Sequence, residues 1–147
     1  MGLLSPGDQE KLRDAFSEMT SAVKIVFFTQ TLGCETCLQT RQIIDELPLL
    51  SDKITIEEVN LVLDADKAKA FGVDRVPALA IVGKDADGAD RDSRIRFIGT
   101  PAGYEFISLV QAVLLVGGRE TNLTAENRAR LAAVATPMTI QVFTTPT

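Results

Sequence analysis

The chain of 147 residues has no histidine and no tryptophan, one tyrosine and two cysteines. Without histidine there is no Ser-His-Asp triad, no imidazole base and no His-liganded zinc site. Without tryptophan there is no indole platform for stacking a sugar or a base. Lysine and arginine are in the minority, 15 against 20 acidic residues, for a formal charge of −5 and a pI of about 4.7. Binding to nucleic acid across the surface is excluded as a class, because neutralising phosphates takes a clustered cationic surplus. Long hydrophobic runs are also missing. The longest, Phe106 to Val116, is interrupted by Ser108 and Gln111 and falls short of the roughly 18 residues of a membrane span. The opening MGLLSPGDQEK lacks the basic and apolar regions of a signal peptide. A cytoplasmic setting is expected, without membrane partners.

What remains is ordinary globular material, 46% apolar and 24% charged, long enough for one domain with an appendage. Ser5-Pro6-Gly7-Asp8 reads as a capped helix start, followed by Leu12, Ala15, Phe16 and Met19 at helical spacing. Val23 to Thr29 (VKIVFFT) is a short apolar run without Gly or Pro, the mark of a buried strand. The pattern from Cys34 to Leu47 is helical and stops at Pro48. Ile54 to Val59 predicts a second strand. Asp64 to Phe71 predicts a helix, with Asp64 as N-cap and Gly72 as its stop. Ala78 to Val82 and Ser93 to Ile98 predict two further strands around an acidic turn, and Ala102 to Val116 a helix ended by Gly117-Gly118. A βαβ unit followed by a hairpin and a covering helix implies an α/β domain, with a mixed four-stranded sheet flanked by helices, over residues 1–118.

Residues 119–147 do not belong to that pattern. Thr124 to Val134 predicts another helix and Thr139 to Thr144 another strand. The pair VKIVFFTQT and IQVFTTPT resemble each other, each an apolar strand closing on Thr and turn residues. This reads as the helix and first strand of an incomplete second unit. A strand without its sheet is expected to be disordered, to add to the first unit's sheet, or to pair with a second copy as a homodimer.

The chemistry is concentrated in Cys34-Glu35-Thr36-Cys37, a C-x-x-C at the end of an apolar strand and the start of a helix. A Cys-only zinc site needs four ligands, which one chain cannot supply here; a metal-bridged dimer would be required. A dithiol redox centre needs only what is present. Free N–H groups and the macrodipole at a helix N-terminus favour a thiolate at the first cysteine, and the second lies within reach of it. Cys34 is therefore the candidate nucleophile and Cys37 the resolving thiol, with no metal and no cofactor. Val76-Pro77 at the start of a strand is the second mark. Such bonds are often cis, and an extended partner chain can pair alongside.

Strand, CETC, helix, strand, helix, Val-Pro, hairpin and helix resemble the thioredoxin superfamily over residues 23–116. MGLLSPGDQEKLRDAF, IGTPAGYEF (98–106), ETNLTAENRARL (120–131) and VFTTPT resemble glutaredoxin-like protein disulfide oxidoreductases, which carry two tandem units, each usually with a C-x-x-C. The resemblance implies the N-terminal unit of such a protein, with the chain ending before a second C-x-x-C. It implies thiol–disulfide exchange on protein disulfides through Cys34 and Cys37, with Pro77 in the cis-Pro position. Substrate would lie along Val76, Pro77, Gly99 and Thr100, and a thioredoxin-reductase-like flavoenzyme would restore the dithiol. The buried Asp that thioredoxins carry six residues ahead of the first Cys is Phe28 here. Glu57 or Glu58 on the next strand are the candidate proton acceptors, unless both face solvent or pair with Lys and Arg. The alternative is a non-catalytic thioredoxin-like scaffold or docking module with a vestigial dithiol.

Overall fold

The structure, a computed structural model, describes residues 2–145. Pro146 and Thr147, read from the sequence as closing turn residues, lie outside the described residues.

Among the described residues, nine elements run in the order α1 (Pro6–Ser17), β1 (Val23–Thr29), α2 (Cys37–Ile44), β2 (Ile54–Asn60), α3 (Ala65–Ala70), β3 (Ala78–Lys84), β4 (Asp90–Ile98), α4 (Tyr104–Val116) and α5 (Ala125–Ala132). The four strands form one sheet in the order β2-β1-β3-β4. β1 and β2 are parallel, and the other two pairings are antiparallel. This is the mixed four-stranded sheet expected from the sequence. β1 is central and buried on both faces, which is why its sequence is apolar throughout instead of alternating.

The two faces carry separate cores. On one, Ile25, Phe27, Leu79 and Ile81 pack with Phe16 and Met19 near α1, Cys37 and Ile44 of α2, and Leu109 and Val113 of α4. On the other, Val26, Phe28, Val59, Ala78 and Ala80 pack with Ala68 of α3 and Val73. The period-2 alternation of β1 thus sends adjacent residues to opposite cores.

Local chemistry sets the helix ends. The Ser5 hydroxyl accepts from the Asp8 N–H at 3.2 Å, a cap worth about 1 kcal/mol. α4 closes with the Gly118 N–H donating to the Leu115 carbonyl and the Arg119 N–H to the Leu114 carbonyl, the double bond of a Schellman ending. Gly118 holds φ +104°, and a Cβ there would collide with Thr20 Oγ1. Only glycine satisfies both demands.

Four sequence expectations change. α2 begins at Cys37 and ends at Ile44, not at Cys34 and Leu47; the motif's first three residues form the turn that leads into it. Asp64 stands at the N-cap of α3 without a side-chain cap bond. Its Oδ2 instead accepts from the Asn60 N–H at 3.0 Å, fastening the end of β2. β4 begins at Asp90 and is bulged: Ser93, Arg94 and Ile95 together oppose the single residue Ile81. Arg94 adopts φ +66° there, and Ser93 Oγ donates to the Ile81 carbonyl at 2.5 Å, replacing the interrupted ladder.

The fourth change concerns the C-terminal segment. α5 forms, capped by the Thr124 hydroxyl accepting from the Asn127 N–H. The predicted strand Thr139 to Thr144 does not form and does not join the sheet. Residues 122–145 are exposed throughout, Ile140, Val142 and Phe143 among them. Among the described residues its backbone has no ladder partner, so strand propensity alone cannot hold it as a strand.

Candidate active site

The dithiol loop leaves the sheet at the C-terminal end of β1. Gly33, at φ +75°, turns the chain there, and Cys34 follows, half-buried against the first core. Cys37 opens α2 and is 7% exposed. The two are joined as a disulfide with Cα atoms 5.5 Å apart. Cys34 is thus the more accessible residue of the pair, while Cys37 is sealed into the core. Thr36 is the N-cap residue and offers no side-chain bond to the first-turn N–H groups of the helix.

The sheet register explains what surrounds it. Phe28 pairs with Ala78, and Ala78 with Ile98. Val76-Pro77, just before β3, and Gly99, just after β4, therefore arrive at the same sheet end as the dithiol. The Val76-Pro77 bond is cis. Val76 touches both cores, and the Gly99 N–H donates to the Pro77 carbonyl at 2.8 Å. Thr100 meets α2 through a hydroxyl–hydroxyl contact with Thr40 at 2.8 Å. Six of the residues singled out from the sequence (Cys34, Cys37, Val76, Pro77, Gly99 and Thr100) are thus brought to one end of the sheet.

Glu57 and Glu58 sit further back, opposite Val26 and Phe27 in the β1/β2 register. Each is in an ion pair. Glu57 binds Lys67 and, at 2.9 Å, Lys24. These two ammonium groups, Lys67 first and Lys24 second, hold its carboxyl below the ordinary carboxylate range, which makes it a weaker base. Glu58 pairs with Arg41, which also holds Asp45 at 2.7 Å. The pairing of both glutamates with Lys and Arg was the other reading their positions allowed.

Phe28 is fully buried and packs edge-on to Phe71 with ring centroids 5.6 Å apart. That strand position is apolar through and through. Thr40 escaped the sequence reading. It is the buried polar side chain of the described residues, at 0% exposure. Its signal was a lone hydroxyl on the apolar face of α2, three residues after Cys37 and four before Ile44.

No protein-family model matches the chain. The chain is 32% identical over 89 residues to a probable thioredoxin of Methanothermobacter marburgensis, covering 60% of this chain and 92% of that protein. Among solved structures, a variant of the alkylhydroperoxide reductase AhpF from Enterococcus faecalis superposes with a TM-score of 0.76 at 28% identity, over 88% of this chain and 60% of that one. A protein disulfide oxidoreductase from Aeropyrum pernix gives 0.74 at 25% identity, over 88% of this chain and 54% of that one. Some other curated relatives are far longer. The matched stretch spans 12% of the NADH dehydrogenase of Bacillus subtilis and 13% of an alkyl hydroperoxide reductase of Xanthomonas campestris pv. phaseoli.

Fold and bonded C-x-x-C together define a thioredoxin-like thiol–disulfide oxidoreductase unit. With nearly the full length of a probable thioredoxin matched, the chain belongs to the thioredoxin family.

Proposed function

We propose that this chain exchanges disulfides with protein substrates, with Cys34 as nucleophile and Cys37 as resolving thiol. The observation that carries the reading is the asymmetry of the pair: Cys34 borders solvent and Cys37 is 7% exposed. An incoming disulfide can be attacked only by the sulfur it can reach. The Cys34 thiolate attacks one substrate sulfur, and the other leaves as a thiolate. Cys37 then attacks Cys34, the mixed disulfide breaks, and the Cys34–Cys37 bond forms as the substrate departs with two thiols. Substrate lies extended beside Val76-Pro77 and the Gly99-Thr100 loop, which border the dithiol. Glu57 and Glu58 serve as proton acceptors only if their ion pairs open.

A flavoenzyme that oxidises a nicotinamide is the proposed source of electrons. Relatives named NADH dehydrogenase and alkyl hydroperoxide reductase support this choice of partner class. A cytoplasmic setting suits a dithiol that must be kept reduced between turnovers. Among the described residues no helix is long and apolar enough to cross a membrane.

Residues 119–147 act as the start of a second unit, and their exposed segment offers a surface for homodimerisation. Leu131, Val134, Ile140, Val142 and Phe143 are 48–90% exposed, an apolar surface of the kind that marks an interface. Light scattering on the full chain and on a chain lacking residues 137–147 tests this: a dimer that becomes a monomer supports it, and an unaltered monomer refutes it.

The test of the chemistry is trapping. With Cys37→Ser, a disulfide-containing protein substrate should accumulate as a covalent adduct on Cys34. With Cys34→Ser, no adduct should form. Adducts on Cys37 would reverse the assigned roles.

A further inference from the structure

We propose that Thr40 is a positioning residue for the resolving step, tying the Cys37 end of the motif to the loop that carries Thr100. The inference rests on the reading of Cys34 as nucleophile and Cys37 as resolving thiol.

A hydroxyl buried at this point of α2 needs an account. Leucine or valine would fill the space between Cys37 and Ile44 without polar demands. Burying a hydroxyl is unfavourable unless it is hydrogen-bonded. Here it is bonded twice. Thr40 Oγ1 lies 2.9 Å from the Thr36 carbonyl and 2.8 Å from Thr100 Oγ1. A carbonyl only accepts, so the Thr40 proton goes to Thr36, and Thr100 must donate to Thr40. The Thr36 carbonyl also accepts the Thr40 backbone N–H at 2.9 Å. One carbonyl inside the C-x-x-C is therefore held by both hydrogen-bond donors of Thr40. The chain of bonds then crosses 60 residues of sequence to Thr100. Beside Thr100, Gly99 is bonded to Pro77 at 2.8 Å.

In the oxidised protein the covalent bond alone keeps the two sulfurs together. During exchange that bond is open, because Cys34 is bonded to the substrate. Cys37 must then attack the Cys34 sulfur from wherever its backbone places it. Thr36 is the residue immediately before Cys37, so anchoring its carbonyl fixes where the Cys37 thiolate points. Small displacements of an attacking group cost large factors in rate. In the step concerned, the Cys37 thiolate forms a bond to the Cys34 sulfur. The Cys34–substrate bond breaks, and the substrate sulfur leaves as a thiolate that takes a proton from water.

The test uses the full reduced chain and glutathione disulfide, with acid quenching and mass analysis of the adduct over time. Formation of the Cys34–glutathione adduct should proceed in Thr40→Val as in the parent. Its conversion to the Cys34–Cys37 disulfide should slow by about three- to tenfold, the worth of one hydrogen bond. Thr40→Ser keeps the hydroxyl and should restore the rate. Thr100→Val should reproduce the slowing, and the double variant should be no slower than Thr40→Val. A structural role alone would lower the melting temperature without this split between the two steps. Parental conversion rates in Thr40→Val, or a Thr40→Ser as slow as Thr40→Val, would overturn the proposal. If Thr40→Val does not fold, Thr100→Val, at a half-buried loop position, decides the question in the same assay. Cys37→Ser run alongside separates the two readings: glutathione retained on Cys34 upholds the assigned roles whatever Thr40 does, and no adduct there removes both.

Discussion

Replacing Phe28 with alanine should destabilise the domain by about 3–5 kcal/mol. The ring is fully buried on the sheet face covered by α3, among Val26, Val59, Ala78, Ala80 and Val82. Its loss removes the transfer free energy of a whole aromatic side chain and leaves a cavity that a sheet flanked on both faces cannot collapse around. It also removes the edge-on contact with Phe71 at 5.6 Å, worth about 0.5–1.5 kcal/mol of that total. Urea unfolding followed by far-UV circular dichroism measures the change. With a slope near 2 kcal/mol/M, the midpoint should fall by about 2 M. The matched control is Leu63→Ala in the turn after β2, where the side chain is 83% exposed; it should change stability by less than about 0.5 kcal/mol. A loss under about 1.5 kcal/mol for Phe28→Ala would refute the second core as described. A loss of that size for Leu63→Ala would mean that exposed side chains carry as much stability as core ones, and the comparison would fail.

Three other outcomes follow from the geometry. Asp90 is held at about 2, below its ordinary 3.8, by Lys24 first and Lys84 second. A depressed carboxyl contributes stability above its unfolded value and loses it as pH falls through the folded one. Acid unfolding between pH 3.8 and about 2 should therefore be shallower in Asp90→Asn, and the difference should shrink in high salt. Gly118→Ala forces a side chain into a left-handed backbone and onto Thr20 Oγ1; a loss of about 1–3 kcal/mol is expected, and a neutral result would contradict the close approach of the α4 end to Thr20. Cys37→Ser should retain covalent substrate, whereas Cys34→Ser should retain none; the readout is a non-reducing gel.

The parts of this fold legible in the sequence were those governed by short-range rules. VKIVFFT could be read as a buried strand because a strand apolar on both faces has no alternation to confuse. Ser5 could be read as a cap because a hydroxyl followed by Pro6 and Asp8 is a short-range helix-start pattern. CETC stood out because these are the chain's only two cysteines, three residues apart. What escaped depended on partners far away in sequence. The start of α2 at Cys37 reflects the turn needed to bond Cys34 to Cys37, which helical periodicity does not see. The bulge at Arg94 is a mismatch in length between β3 and β4, invisible from either strand alone. Thr40 drew no reading, because the partner of its hydroxyl, Thr100, lies 60 residues away. Thr139 to Thr144 has strand propensity, but a strand is made by its neighbours, and none is present among the described residues.

The most direct test of the central claim is a titration of the Cys34–Cys37 couple against glutathione redox buffer, read by thiol alkylation. A two-electron midpoint within roughly −120 to −270 mV is predicted, the range of working oxidoreductases. A bond that never forms, or a midpoint far more negative than about −300 mV, where structural disulfides lie, would contradict it and leave a scaffold with a vestigial pair.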